Sequence, residues 1–332
     1  MKKITQEQND IFTTIENDIN NANNLSDKDK QTMLQNIFKL KNEKVNLMIT
    51  GATGCGKSST INALFDMEVA KVGVGVDPET MSIEKYELDN LILWDSPGLG
   101  DGKEKDKLHA KAIIKKLNEV DEKGQPLIDL VLVILDGGSR DLGTSYELIN
   151  KVIIPNLGED VEKRILIAIN QADVAMKGRY WDYEKNQPQP KLVEFLEAKV
   201  ASVKKRVEEA TGVSIEPIYY SAGYKEEDEM QRPWNLSKLL YFIVSHTPKQ
   251  KRLVYIENIS KEPEVWKDDD EIIDYIEKTK KSFMETVVEY ASKGADIGEK
   301  IGSIFGETGR SIGKVVGGAV GTVIGLIGGM FS

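Results

Sequence analysis

Gly51-Ala52-Thr53-Gly54-Cys55-Gly56-Lys57-Ser58 follows directly on the apolar run Val45-Asn46-Leu47-Met48-Ile49-Thr50 and precedes the helix-forming stretch Ser59-Thr60-Ile61-Asn62-Ala63-Leu64-Phe65. Glycines, a lysine and a hydroxyl at this spacing, between a strand and a helix, read as a phosphate-binding loop. The motif constrains the fold. A strand must end at a helix N-terminus, where successive backbone N–H groups converge on an anion. Gly51, Gly54 and Gly56 allow turns that a Cβ would obstruct. Lys57 brings a point charge to the β- and γ-phosphates, and Ser58 a hydroxyl to Mg²⁺. Ala52, Thr53, Cys55 and Ser59 complete the predicted nucleotide contacts. This motif alone does not separate ATP from GTP.

Later elements choose the base. Leu91-Ile92-Leu93-Trp94-Asp95-Ser96-Pro97-Gly98 is an apolar strand ending in Asp-x-x-Gly. Asp95 sits where a carboxylate holds Mg²⁺ through water, and Gly98 offers a backbone N–H to a γ-phosphate. The buried-strand pattern Arg164 to Ile169 ends in Asn170-Gln171-Ala172-Asp173, which resembles the Asn-Lys-x-Asp element of guanine-nucleotide proteins with Gln171 in place of lysine. A carboxylate at Asp173 accepts hydrogen bonds from guanine N1 and N2, a donor pair that adenine lacks. Ser221-Ala222-Gly223 resembles the Ser-Ala-Lys turn whose backbone N–H meets guanine O6. Thr80, ahead of the alternating strand at 82–88, is the candidate for a second hydroxyl on Mg²⁺.

Taken in order, these elements over about residues 44–246 resemble the Era-like branch of the translation-factor class of P-loop GTPases. Within it they are most similar to the bacterial subgroup that resembles immunity-related GTPases. The resemblance implies a Ras-like α/β fold: a mostly parallel six-stranded sheet with one antiparallel strand, plus N- and C-terminal helical extensions. It also implies Mg²⁺-dependent binding of GTP and GDP and slow hydrolysis, with Lys57, Thr80 and Gly98 at the reacting phosphate. The sequence departs from the usual pattern at Leu99, where many small GTPases carry the glutamine that orients water. Leucine cannot do this, so hydrolysis calls for a group from a partner or a second subunit. Arg140, in the loop Asp136 to Asp141, is a candidate for that group, against the plainer reading of a solvated arginine.

The middle of the chain alternates strands, near 45–50, 82–88, 91–95, 129–135, 164–169 and 215–220, with helices near 57–66, 104–119, 143–153, 190–210 and 235–246. That alternation is the mark of a parallel sheet. Residues 1–43 read as a helical extension, with Ile4, Ile11, Phe12, Ile15 and Ile19 on one stripe and Leu34, Ile37, Phe38 and Leu40 on a second. The GTPase unit is placed at 44–248, a further helical region at 249–293 and a tail at 294–332. The stripe Ile272, Ile273, Tyr275, Ile276, Phe283, Val287 and Val288 is expected to pack on the N-terminal helices. The segment Met176 to Lys191 reads as an enlarged surface loop beside the base. The formal charge of −10 gives no basic footprint for nucleic acid. His109 and His246 lie far apart on helical patterns and make no metal or triad spacing. The single cysteine, Cys55, excludes a disulfide framework, and its place at a helix N-terminus leaves a lowered pKa open. No secretory signal opens the chain. A cytoplasmic location is expected, with peripheral or tail-anchored association at the cytoplasmic membrane face as an option left open by the tail.

Glycines recur every four residues at 294, 298, 302 and 306, then from 309 through 313, 317, 321, 325 and 329. This period lines one helix face with glycine and permits close helix approach. Val315 to Phe331 carries no charge, at the lower limit of length for crossing a bilayer. Membrane association through residues 315–331, burial in a homodimer or larger oligomer, and a flexible tail are the three readings. They lead to a GTP-hydrolysing switch coupled to membrane or self-association. The alternatives are a nucleotide-gated scaffold with negligible turnover and a membrane-disrupting effector.

Overall fold

The computed structural model describes residues 10–65, 83–98, 100, 102–226, 229–271, 273–295 and 301–317. Thr80, Leu99, Ile4, Ile272 and most of the run 315–331 lie outside the described residues. Two helices come first, α1 (Ile11–Asn21) and α2 (Asp27–Lys41). Asp10 and Ser26 cap them by accepting the Phe12 and Asp29 amides. Then follow β1 (Val45–Gly51), α3 (Lys57–Phe65), β2 (Glu84–Leu88), β3 (Leu91–Asp95), α4 (Lys103–Leu117), β4 (Leu130–Asp136) and α5 (Gly143–Glu147). The chain continues with α6 (Val161–Arg164), β5 (Ile165–Asn170), β6 (Trp181–Asp182), β7 (Gln187–Pro188), α7 (Pro190–Thr211), β8 (Ile218–Tyr219) and α8 (Leu236–His246). The last helices are α9 (Val254–Asn258), α10 (Tyr275–Ala291), α11 (Ile301–Ile304) and α12 (Gly306–Gly317).

The main sheet has six strands in the order β2-β3-β1-β4-β5-β8. Only β2 runs antiparallel, paired with β3 as a hairpin across Asp89-Asn90. The other pairs are parallel. This is the Ras-like arrangement expected from the sequence. Strand order reverses at β1, and crevices at such switch points receive ligands.

Successive residues of a strand point to opposite faces, so each strand feeds two cores. On β4, Leu130, Leu132 and Ile134 join one apolar cluster, while Val131, Val133 and Leu135 join the other. The first cluster is covered by α3 and α8 together with α1, α2, α9, α10 and α12. The second lies under α4 and α7. The helices before and after the sheet therefore share one continuous core with its α3 face.

Several local expectations change. The α2 stripe buries Met33, Ile37 and Leu40, whereas Phe38 is 66% exposed. One residue past Ile37 is about 100° round the helix, away from the sheet. The helix expected over 143–153 is α-helical only to Glu147 and continues as a wider π turn over Leu148–Ile153. The last strand of the main sheet is only Ile218–Tyr219. The segment 176–191 is not a plain surface loop. It forms the β6–β7 hairpin, and Trp181 packs edge-on against Trp234 in the second core. Tyr183 at its tip is exposed.

The tail also differs. α12 buries Thr308, Ile312 and Val316, four residues apart, after the buried Ile304 and Phe305. A Cβ on Gly306 or Gly313 would meet open space, and one on Gly309 only Met284 Sδ at 3.8 Å. Gly306 and Gly313 thus face away from the contact, which Gly309 borders and larger residues fill. No described helix is long and apolar enough to cross a membrane.

Candidate functional site

Register places the ends of four strands side by side. Ile49 stands opposite Asp95, Gly51 opposite Ile134, and Asp136 opposite Asn170. The loop leaving β1 therefore opens between Asp95 and Asn170. Ala52, Thr53 and Gly54 form its solvent-facing lip, and Ser58 and Ser59 are half-buried in the first turn of α3. Gly56 has φ +85°, and a Cβ there would stand 2.3 Å from Asn170 Nδ2. Only glycine meets both demands. Lys57 Nζ donates to the Gly51 and Ala52 carbonyls at 3.5 and 3.4 Å, long bonds that leave the ammonium available. Thr60 accepts or donates with the fully buried Tyr220 hydroxyl at 2.6 Å, which ties α3 to the end of β8. Cys55 is buried, and burial pushes its thiol up to about 11. The lowered pKa left open by its position at a helix N-terminus is not what this environment gives.

Asp95 ends β3. Burial pushes its carboxyl up to about 6, opposed by the Lys57 ammonium and aided by Glu84. Its Oδ1 is buried with no hydrogen-bond partner among the described residues. An orphaned carboxylate oxygen close to a positive lysine and the Ser58 turn fits a hydrated divalent cation. No cluster of three His, Cys, Asp or Glu suited to a metal exists among the described residues. The residues present fit Mg²⁺, which keeps waters and phosphate oxygens in its shell. Ser96 donates its hydroxyl to Thr50 Oγ1 at 2.7 Å and fixes the start of the Asp-x-x-Gly turn. Gly98 lies against the loop: a Cβ on it would meet Thr53 N at 2.7 Å.

The expected base-recognition residues stand together. Asn170 Nδ2 donates to the Cys55 carbonyl at 2.9 Å, and Asn170 Oδ1 accepts the Ala222 amide at 2.9 Å. One amide thus bridges the phosphate loop and the Ser221-Ala222 turn. Asp173 is 6% exposed and accepts the Ser221 hydroxyl at 2.6 Å. Gln171, in left-handed backbone, donates Nε2 to the Gly54 carbonyl at 3.0 Å. The turn is held from behind by the antiparallel bridge between Ser221 and Trp234 and by Asn186 of the hairpin, which donates to the Arg232 and Pro233 carbonyls.

Arg140 is exposed. Its loop is gathered by Lys199 of α7, whose ammonium donates to the Asp136, Gly137 and Ser139 carbonyls. Burial pulls the Lys199 pKa down, and Asp136 opposes this. Sequence reasoning passed over Lys199 and gave no role to His109, whose Nδ1 lies 3.1 Å from the Gly98 carbonyl. The signal for His109 was its spacing, four and eight residues before the apolar Ile113 and Leu117, which turns it inward.

Residues 46–171 match the family model described as 50S ribosome-binding GTPase. The uncharacterized protein YkfA of Escherichia coli (strain K12) is 30% identical over 148 residues, 44% of this chain and 47% of that protein. YfjP of the same strain is 31% identical over 149 residues, with the same shares. The chain spans about half the length of these curated relatives. Among solved structures, the LeoA bacterial dynamin GTPase from ETEC has a TM-score of 0.39 at 12% identity, over 95% of this chain and 46% of that one. Toc33 from Arabidopsis thaliana with GDP and Mg²⁺ has 0.40 at 15%, over 67% and 87%. Era from Aquifex aeolicus with GDP and AlF4⁻ has 0.38 at 17%, over 62% and 57%. Gly51 to Ser58, Asp95 and Asn170 to Asp173 all stand at the carboxyl edge of a Ras-like sheet, and residues 46–171 match a P-loop GTPase domain.

Proposed function

We propose that this chain binds GTP with Mg²⁺ and hydrolyses it to GDP and phosphate, as a switch that acts through its tail. One observation carries the base assignment: the Asn170 side chain joins the phosphate loop to the Ser221-Ala222 turn, beside the buried Asp173. Three segments far apart in sequence make one rim. Ser221 donates one hydrogen bond to its buried carboxylate, which could accept two further adjacent donors, the pair that guanine has and adenine lacks.

In this reading Lys57 and the amides of residues 51–59 hold the phosphates. Ser58, Thr80 and, through water, Asp95 would hold Mg²⁺, which would neutralise phosphate charge. Asn170, Gln171 and Asp173 hold the base, with Ser221 and Ala222 closing over it. Gly98 presents its N–H to the γ-phosphate. The chain's residues orient and neutralise, and water is the nucleophile. With Leu99 beside Gly98, turnover is slow until a partner or second copy completes the site. The GTPase unit is 44–248. The flanking helices couple it to the tail, which reaches a membrane or another copy.

Titration calorimetry tests this. GTP and GDP are expected to bind with Mg²⁺ present and ATP at least about 100-fold more weakly, since adenine lacks the donor pair that the Asp173 carboxylate would accept from guanine. Lys57→Ala is expected to abolish tight binding of both. Equal affinity for GTP and ATP, or unchanged GTP affinity in Lys57→Ala, would refute the assignment. Single-turnover hydrolysis over a protein concentration series separates the switch from a scaffold: a rate that climbs with concentration supports completion by a second copy, and no turnover at any concentration supports the scaffold.

A further inference from the structure

Two side chains of α4 hold the chain on either side of position 99. His109 Nδ1 lies 3.1 Å from the Gly98 carbonyl oxygen, and Asp106 Oδ1 accepts the Gly100 amide at 2.9 Å. A carbonyl only accepts, so Nδ1 carries the proton in this bond. The ring is 3% exposed and lies on the same helix face as Ile113 and Leu117, so packing fixes its position. From the opposite side the phosphate loop presses on Gly98: a Cβ there would stand 2.3 Å from Thr53 Oγ1 and 2.7 Å from Thr53 Cα. Gly98 is clamped between a buried imidazole and the loop that would carry the phosphates. A buried polar ring spent on a single carbonyl needs a reason, and an apolar side chain would serve α4 packing better.

We propose that His109, aided by Asp106, is a positioning residue that sets where the Gly98 amide meets the γ-phosphate, and so sets the preference for a nucleoside triphosphate over a diphosphate. This rests on the GTP reading above. The side chain acts through the backbone and touches no nucleotide. A diphosphate has no γ-phosphate, so its binding does not draw on the Gly98 amide. That difference separates sensing of the nucleotide state from general affinity and from fold stability.

The test uses the full chain with Mg²⁺ and measures Kd for GDP and for a non-hydrolysable GTP analogue. His109→Phe keeps the ring volume and loses the donor. It is expected to weaken the analogue by about three- to tenfold, the worth of one neutral hydrogen bond, and GDP by less than about twofold. His109→Asn places an amide nitrogen near the Nδ1 position and is expected to restore most of the ratio, a rescue that bulk packing would not give. Asp106→Ala, at a more open position, is expected to shift the ratio in the same direction and serves if His109→Phe fails to fold. Equal weakening of both nucleotides, or an unchanged ratio in every folded variant, overturns the proposal. A wild-type protein that binds neither nucleotide overturns the GTP reading and this inference with it. Binding of both, with an unchanged ratio in the variants, overturns this inference alone.

Discussion

Asp95 holds a charge where water is scarce, and its energetics expose what the site lacks when empty. Its carboxyl is pushed up to about 6, against an ordinary value near 3.8. A group whose pKa is raised by folding gives stability that is complete below its unfolded pKa and lost as pH rises through the folded one. Without nucleotide and Mg²⁺, stability from this group is therefore full below about pH 4 and gone above about pH 6. The loss is about 1–3 kcal/mol at neutral pH, at about 1.4 kcal/mol per pKa unit and discounted for partial exposure. Asp95→Asn is expected to stabilise the Mg²⁺-free protein at pH 7 by that order and to flatten the slope between about pH 4 and 6. The same variant should lose the Mg²⁺ dependence of GTP binding. Urea denaturation at pH 5 and 7 checks the first part, and an unchanged slope in the variant would sink it. Asp95 was legible in the sequence because an apolar strand ends on it within a short motif. So were Lys57, Ser58, Asn170 and Asp173. His109 was not, because its bond to Gly98 depends on how the intervening helix is phased and on which face the second core covers.

Elements were legible where their period was strong. The parallel strands, buried on both faces, read as apolar runs, and the β2–β3 hairpin was marked by its two-residue turn. Phe38 misled because a residue next to a buried one looks alike in a list and lies about 100° away on a helix. The hairpin at 181–188 was hidden because its anchor, Trp181 on Trp234, spans fifty residues of chain. The tail helix is the clearest case of a contact that no local pattern reports. Thr308 donates both its amide, at 2.8 Å, and its hydroxyl, at 2.7 Å, to Asp18 Oδ2 of α1. A carboxylate at the first turn of α12 satisfies an orphan amide and meets the positive end of the helix. Ile304, Phe305, Ile312 and Val316 then bury beside it. Any tail that acts on a membrane or another copy through this apolar ridge must first leave α1. Asp18→Ala removes the shared acceptor and is expected to cost about 1–3 kcal/mol of docking, since it strands two donors next to a core. Amide hydrogen exchange in residues 306–317 should then speed up about tenfold or more while that of β4 stays unchanged. Equal exchange in α12 of the two proteins would show that Asp18 does not hold the tail.

At the level of the whole chain, the shared sheet decides how the parts depend on one another. Leu130, Leu132 and Ile134 serve the core under the flanking helices, and the alternate residues Val131, Val133 and Leu135 serve the core under α4 and α7. Neither core survives without β4. The flanking helices enter that first core directly, with Ile15 and Ile19 of α1, Ile37 of α2, and Phe283 and Val287 of α10 all fully buried. Ion pairs tie the same parts: Lys251 after α8 reaches Asp129 at the foot of β4, and that carboxylate also accepts the Asn46 amide of β1. A chain of this size often unfolds in stages when its parts are separable. Here the helical extensions and the GTPase unit are expected to unfold in one cooperative step despite their distinct sequence character. The four tryptophans report on this, because Trp266 sits in the first core while Trp181 and Trp234 sit in the second. Urea titrations followed by tryptophan fluorescence and by far-ultraviolet circular dichroism are expected to share one midpoint, which guanine nucleotide with Mg²⁺ should raise. Variants retaining only Trp266, or only Trp234, should keep that coincidence. A Trp266 transition that precedes the Trp234 transition would mean that the flanking helices peel from the sheet first, and that the two cores are coupled less tightly than their common strands require.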